Sequence, residues 1–125
     1  MAATPKPKKE KRKRHRMTIE CDISPEVRKQ VYERDSVDGC PVCIVCGNPH
    51  NLEVAHYISR AQGGLGNPEN LVCLCKKCHT EYDGHGRNYT LIRTLIETYM
   101  KEHYKFWDKS ELVYDKLDPR WTWGN

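Results

Sequence analysis

The chain has 125 residues and a formal net charge of +4, with 38% hydrophobic residues, a single Phe and seven Cys. That length allows one domain with a modest core, and a mean hydropathy of −0.83 argues against organisation by bulk apolar burial. No run approaches the ~18 apolar residues needed to span a bilayer, so no membrane partner is expected. Six of the seven cysteines fall at 40–46 and 73–78. With an odd total and no secretory leader pattern, a disulfide framework is disfavoured, and thiolates holding a metal in a reducing cytoplasm are expected.

Charge is unevenly spread. Residues 1–16 carry Lys6, Lys8, Lys9, Lys11, Arg12, Lys13, Arg14 and Arg16 against Glu10 alone, so the remainder of the chain is net acidic. Residues 1–17 therefore read as a disordered basic arm that binds polyanions by releasing their counterions. The first ordered element is expected at Ser24, an N-cap candidate followed by Pro25 at the first helical position, with Val27, Val31 and Tyr32 at helical spacing as far as Arg34. Asp38-Gly39 then turns the chain toward the cysteines. Leu52 to Ile58 reads as a short strand carrying His56, followed by a wide turn-rich connection at 62–68 and a second strand from Leu71 to Leu74. A helix beginning near Lys76 to Cys78 carries His79 and Asp83 as far as Gly84. Asn88 to about Phe106 is the longest periodic segment, with an apolar stripe of Leu91, Ile92, Leu95, Ile96, Tyr99 and Met100 whose expected task is packing. Asp118-Pro119 and Trp121-Thr122-Trp123 read as an irregular tail.

Two pairs, Cys43-x-x-Cys46 and Cys75-x-x-Cys78, are separated by 28 residues. A two-residue gap lets a tight knuckle aim both sulfurs at one ion, and four thiolates fill the shell of a structural zinc. Cys40-Pro-Val-Cys43 has the same gap, but Gly47 favours the later pair, because a knuckle commonly needs positive φ just after its second ligand. Cys73 is expected to point away from Cys75 into the core, and Cys21 to be an ordinary thiol.

Taken in order, Cys43-Ile-Val-Cys46, Ala55-His56, Gly63-Gly64, Asn70-Leu71 and Cys75-Lys76-Lys77-Cys78-His79 resemble the HNH endonuclease family, from Cys43 to Asp83. More loosely, Ile23-Ser24-Pro25 through Val31-Tyr32-Glu33-Arg34-Asp35 is similar to the helix preceding the first knuckle in small phage-encoded members. The resemblance implies an α+β fold with a ββα-metal (HNH, or His-Me finger) core at about 43–84. A four-cysteine zinc site would stabilise that core, flanked by an N-terminal helix and a longer C-terminal helix at about 88–106, within one nuclease domain spanning 18–125. It also implies a metal-dependent endonuclease that hydrolyses DNA phosphodiesters. The setting implied is phage DNA processing in a bacterial cytoplasm, with packaging or recombination proteins as partners.

Phosphodiester hydrolysis needs an activated water, charge stabilisation at the phosphoryl oxygens and help for the departing oxygen. His56, with an unperturbed pKa of ~6.5, is the expected general base if its other nitrogen is held by a carbonyl. His79 and Asp83, four residues apart on one helical face, are expected to hold a catalytic Mg²⁺ or Mn²⁺ and leave most of its shell open. Asn70, which orients the active site in the family, is expected to bridge backbone groups across the loop and fix the His56 strand. Arg60, Lys76 and Arg87 are the candidate phosphate contacts. Many family members have Asp or His as a metal ligand just before the base; here that position is Ala55. Either His79 and Asp83 suffice, or Glu53 reaches in from two residues upstream, or activity is weak. The competing expectation is a non-catalytic zinc-ribbon module that binds nucleic acid through the arm and knuckles.

Overall fold

In the computed structural model, residues 16–115 are described. The predicted arm, apart from Arg16 and Met17, and the Trp121-Thr122-Trp123 tail lie outside the described residues. The elements in chain order are helix α1 (Arg16–Cys21), helix α2 (Pro25–Arg34), a two-residue hairpin of β1 (Ser36–Val37) and β2 (Cys40–Pro41), strands β3 (Leu52–His56) and β4 (Leu71–Cys75), and helices α3 (Lys76–Asp83) and α4 (Tyr89–His103). The fold is α+β, with a β3–β4–α3 unit at its centre. Among the described residues no helix is long and apolar enough to cross a membrane.

β3 and β4 pair antiparallel, from Leu52 opposite Cys75 to His56 opposite Leu71. β4 is buried at all five positions, because helices cover both faces of this small sheet. On one side Val31 of α2 packs with Val54 and Leu71. On the other, Ala55, Val72 and Leu74 meet Tyr82 of α3 and Ile92, Ile96 and Met100 of α4. Of the predicted stripe, Ile92, Ile96 and Met100 are buried and Tyr99 packs partly buried beside them. Leu91 and Leu95 are 58% and 40% exposed, so the stripe is narrower than its sequence suggests.

Four further differences from expectation have local causes. A helix precedes Ser24: α1 carries an Arg16–Glu20 ion pair of 2.9 Å one turn apart, and the Gly66 amide donates to its Glu20 carbonyl at 2.9 Å. Asp38-Gly39 does not merely end α2. Both residues have positive φ, 52° and 81°, as a two-residue hairpin turn demands. β3 stops at His56 rather than Ile58, since the Ile58 amide donates to the Asn70 side chain instead of a partner strand. Cys73 is buried, as expected, but not because it alternates with Cys75, since residues two apart share a pleat face. The two thiols part company because the chain turns into α3 at Cys75. Burial pushes the Cys73 thiol up to about 12.

Ser24 caps α2 as read from the sequence, accepting from the Val27 amide at 3.1 Å. The other end of α2 is tied to the sheet by a buried ion pair. Arg34 donates through Nε to Asp35 Oδ1 at 2.6 Å, and also to the carbonyls of Pro68 and Leu71 at 2.7 and 2.6 Å. Asp35 in turn accepts the Cys73 amide at 2.8 Å and the Tyr99 hydroxyl of α4. Removing Arg34 leaves a buried carboxylate without its cation, which costs about 3–5 kcal/mol. Arg34→Ala is therefore expected to lower the unfolding free energy from urea titration by that amount at unchanged slope. A loss below about 1 kcal/mol would show that Tyr99 and the Cys73 amide hold Asp35 unaided.

Candidate active site

The first knuckle forms as its sequence requires. Gly47 has φ +77° and its amide donates to the Cys43 carbonyl at 2.8 Å. Cys75 caps α3, its Sγ accepting from the Cys78 amide at 3.5 Å. The ligand atoms of Cys43, Cys46, Cys75 and Cys78 all lie within 4.8 Å of one another. The corners of a tetrahedron with ~2.3 Å metal–sulfur bonds stand about 3.8 Å apart, and the Cys46 and Cys75 sulfurs are 3.6 Å apart. The donor set thus fits a tetrahedral, thiophilic ion such as zinc. Cys40 is exposed and stands outside the group.

The loop from β3 to β4 turns around Asn70, which is fully buried. Its amide nitrogen donates to the carbonyls of Leu65 and Ile58 at 2.8 and 3.1 Å, and its oxygen accepts the Ile58 amide at 2.9 Å. This is the bridge expected from the sequence. Gly64 is forced by the same packing, since a Cβ there would lie 1.7 Å from the Ile58 carbonyl oxygen. The loop is thereby locked against the end of the strand that carries His56.

His56 places Nε2 2.9 Å from the Cys21 carbonyl oxygen at the end of α1. A carbonyl only accepts, so the ring proton belongs on Nε2 and the lone pair on Nδ1. Burial, as the largest influence, pushes the His56 pKa below the ordinary histidine value, opposed by the Cys21 carbonyl and reinforced by Arg60. His79 meets a carboxylate at each ring nitrogen: Asp83 Oδ2 is 2.9 Å from Nε2, and Glu53 Oε1 is 3.7 Å from Nδ1. Adjacent ligands of an octahedral ion with ~2.1 Å bonds stand about 3 Å apart, so His79 Nε2 and Asp83 fit two neighbouring positions around a hard divalent cation.

His56, His79 and Asp83 line one open cleft of about 450 Å³, together with Arg60, His85 and Arg93. Arg60 is ion-paired with Asp22. Lys76 and Arg87 are exposed and do not line this cleft, nor does Glu53. His85 and Arg93 were not singled out by sequence reasoning. Arg93 sits one turn after Tyr89 on α4, beside the buried stripe, and its direction becomes legible only once α3 is known to pack on α4.

Four clustered thiols that could hold one metal ion join the ββα unit beside an open polar cleft. Residues 43–83 match the family model described as HNH endonuclease. The structure of the Type IV phosphorothioation-dependent restriction endonuclease ScoMcrA aligns with 65% of this chain at 24% identity and a TM-score of 0.45. This chain covers 20% of that protein's length. No curated protein sequence matches.

Deleting the Asn70 amide leaves the buried Leu65 carbonyl and the part-buried Ile58 amide and carbonyl without this partner, at about 1–3 kcal/mol for a fully buried group and less for a part-buried one. Asn70→Ala is expected to cost several kcal/mol in chemical denaturation and to speed hydrogen exchange at the Ile58 amide. Unchanged exchange there would show that the loop is held by other contacts.

Proposed function

We propose that the protein is a divalent-cation-dependent DNA endonuclease. One observation carries the reading: a carbonyl-held His56 and the His79–Asp83 pair line one cleft, and all three lie in the segment that matches the HNH endonuclease model. In this reading Cys43, Cys46, Cys75 and Cys78 hold a structural zinc, and His79 and Asp83 hold Mg²⁺ or Mn²⁺. The divalent cation supplies Lewis-acid stabilisation of the phosphoryl oxygens and the departing 3′-oxygen. His56 Nδ1 accepts a proton from the attacking water, while its Nε2 stays bonded to the Cys21 carbonyl. Asn70 acts behind the site, as a positioning residue for the His56 strand. Glu53, outside the cleft, stands 3.7 Å from His79 Nδ1, and its charge there favours the ring orientation that leaves Nε2 to the cation.

Arg60 exchanges Asp22 for a substrate phosphate, and Lys76 and Arg87 contact the duplex beyond the cleft. Residues 18–125 form the nuclease domain, and the Lys and Arg residues of the arm add sequence-independent affinity. DNA processing in a phage or its bacterial host belongs to the same reading.

Purified protein is expected to carry one zinc per chain and to cut plasmid DNA with Mg²⁺ or Mn²⁺. His56→Ala should abolish cutting while keeping zinc content and melting temperature. Cutting that survives His56→Ala rejects the assigned base. DNA retention with zinc bound and no cutting under any cation leaves the non-catalytic module, the reading that Ala55 favours. The pH profile is a second check. His56 must be neutral to accept a proton, and burial lowers its pKa, so kcat/KM should stay level as pH falls through ~6.5 and decline only below it. An acid limb at or above that pH is inconsistent with this base.

A further inference from the structure

We infer that Arg93, on the helix whose sequence reads as packing, is a substrate-phosphate contact of the cleft. This deepens the nuclease reading and rests on it for the substrate class, a phosphodiester chain. The cleft holds two arginines. Arg60 is paired with the Asp22 carboxylate. Arg93 differs in how it is held and in what is left over. Its guanidinium lies over the Tyr57 ring at 4.9 Å, Nη1 donates to the Tyr89 hydroxyl at 2.9 Å, and Nε is 3.8 Å from Glu97 Oε1. None of these contacts uses Nη2.

Glu97 does not neutralise Arg93, because its other oxygen is ion-paired with Lys109. Two cations share one carboxylate, and Arg93 is left with surplus positive charge where it lines the cleft. An aromatic face beneath the guanidinium and a hydroxyl at its edge fix the plane without spending the charge. A planar donor held this way is pre-organised for an anion with two oxygens to offer, and little rotamer freedom remains to be lost on binding. With a side chain 35% exposed, Arg93 is open to a ligand and firmly seated. His79 and Asp83 are already committed to the scissile phosphate through their cation, so Arg93 serves a phosphate flanking it. It acts in ground-state binding rather than in the chemical step.

The test compares wild type with Arg93→Met, which keeps the stem over Tyr57 and deletes the charge. Binding of a labelled duplex oligonucleotide is followed across a salt series without added divalent cation, and plasmid cutting is followed with Mg²⁺ or Mn²⁺. The expected result is a salt slope less steep by about one. KM should rise about tenfold with kcat kept within a few fold, as loss of uniform binding requires. An unchanged slope and KM overturn the inference, and so does a fall in kcat at constant KM. Should Arg93→Met lose its zinc or its cooperative melt, Arg93→Lys decides: a raised KM at unchanged melting temperature supports the contact, and an unchanged KM overturns it. If wild type fails to cut under every cation tried, the nuclease reading fails separately, while the salt slope still decides whether Arg93 meets phosphate.

Discussion

The junction at Cys75 is the constraint on which the rest depends. One residue ends β4, caps α3 and contributes a sulfur to the four-thiol group, so the direction of the helix is set by the same atom that joins the two knuckles. His79 follows Cys75 by four residues, and Asp83 follows by a further turn. Their positions are therefore fixed relative to the strand that carries His56. A chain with so little apolar mass would gain from an ion held at that joint, because the binding free energy of a thiolate-held ion adds directly to folding.

The second tie works on the opposite face of the sheet. Arg34 and Asp35 convert the end of α2 into a bracket, reaching the Pro68 and Leu71 carbonyls, the Cys73 amide and the Tyr99 and Tyr104 hydroxyls. The Pro68 contact matters most for the cleft, because Pro68 opens the turn that ends at Asn70. Support for His56 thus passes through two layers. Asn70 clamps the loop to the strand, and Arg34 clamps the loop to α2. A third support comes from α1, whose last carbonyl selects the His56 tautomer. This is why a histidine at the very end of a five-residue strand can keep its ring in one orientation.

What was legible in the sequence was whatever local chemistry decides. The knuckles announced themselves through ligand spacing and Gly47, α2 through Ser24-Pro25, and the bridging of the loop through Asn70. What stayed hidden depends on partners distant in sequence. α1 is too short to show periodicity and is held by Gly66, far along the chain. The β1–β2 hairpin has two residues per strand, too few for alternation to register. The outward face of α4 looked apolar because Leu91 and Leu95 match the helical period, but both are exposed while Ile92, Ile96 and Met100 take the core contacts. Arg93 was invisible for the converse reason. Tyr89 and Glu97 lie one turn away on the same helix, but Tyr57 beneath the guanidinium comes from a distant stretch of chain, and no spacing rule predicts a cleft between α3 and α4.

Ala55 looked like a missing ligand, and its surroundings give that absence a physical meaning. The residue is 1% exposed and lies in the main apolar cluster. A carboxylate on that backbone position would need a cation or several donors close by to offset its desolvation. Two residues earlier on the same face, Glu53 stands at the open edge of the sheet with its carboxylate toward His79. The acid that touches the helical histidine is thus displaced from inside the finger to its rim. At the rim it stands 3.7 Å from His79 Nδ1, whereas Asp83 is 2.9 Å from Nε2. Under the proposed function, the shift trades a third protein ligand for a fixed histidine. The cation then has two protein contacts and a shell left open to water and phosphate, a distribution that suits Mg²⁺ or Mn²⁺ better than an ion needing a closed cage.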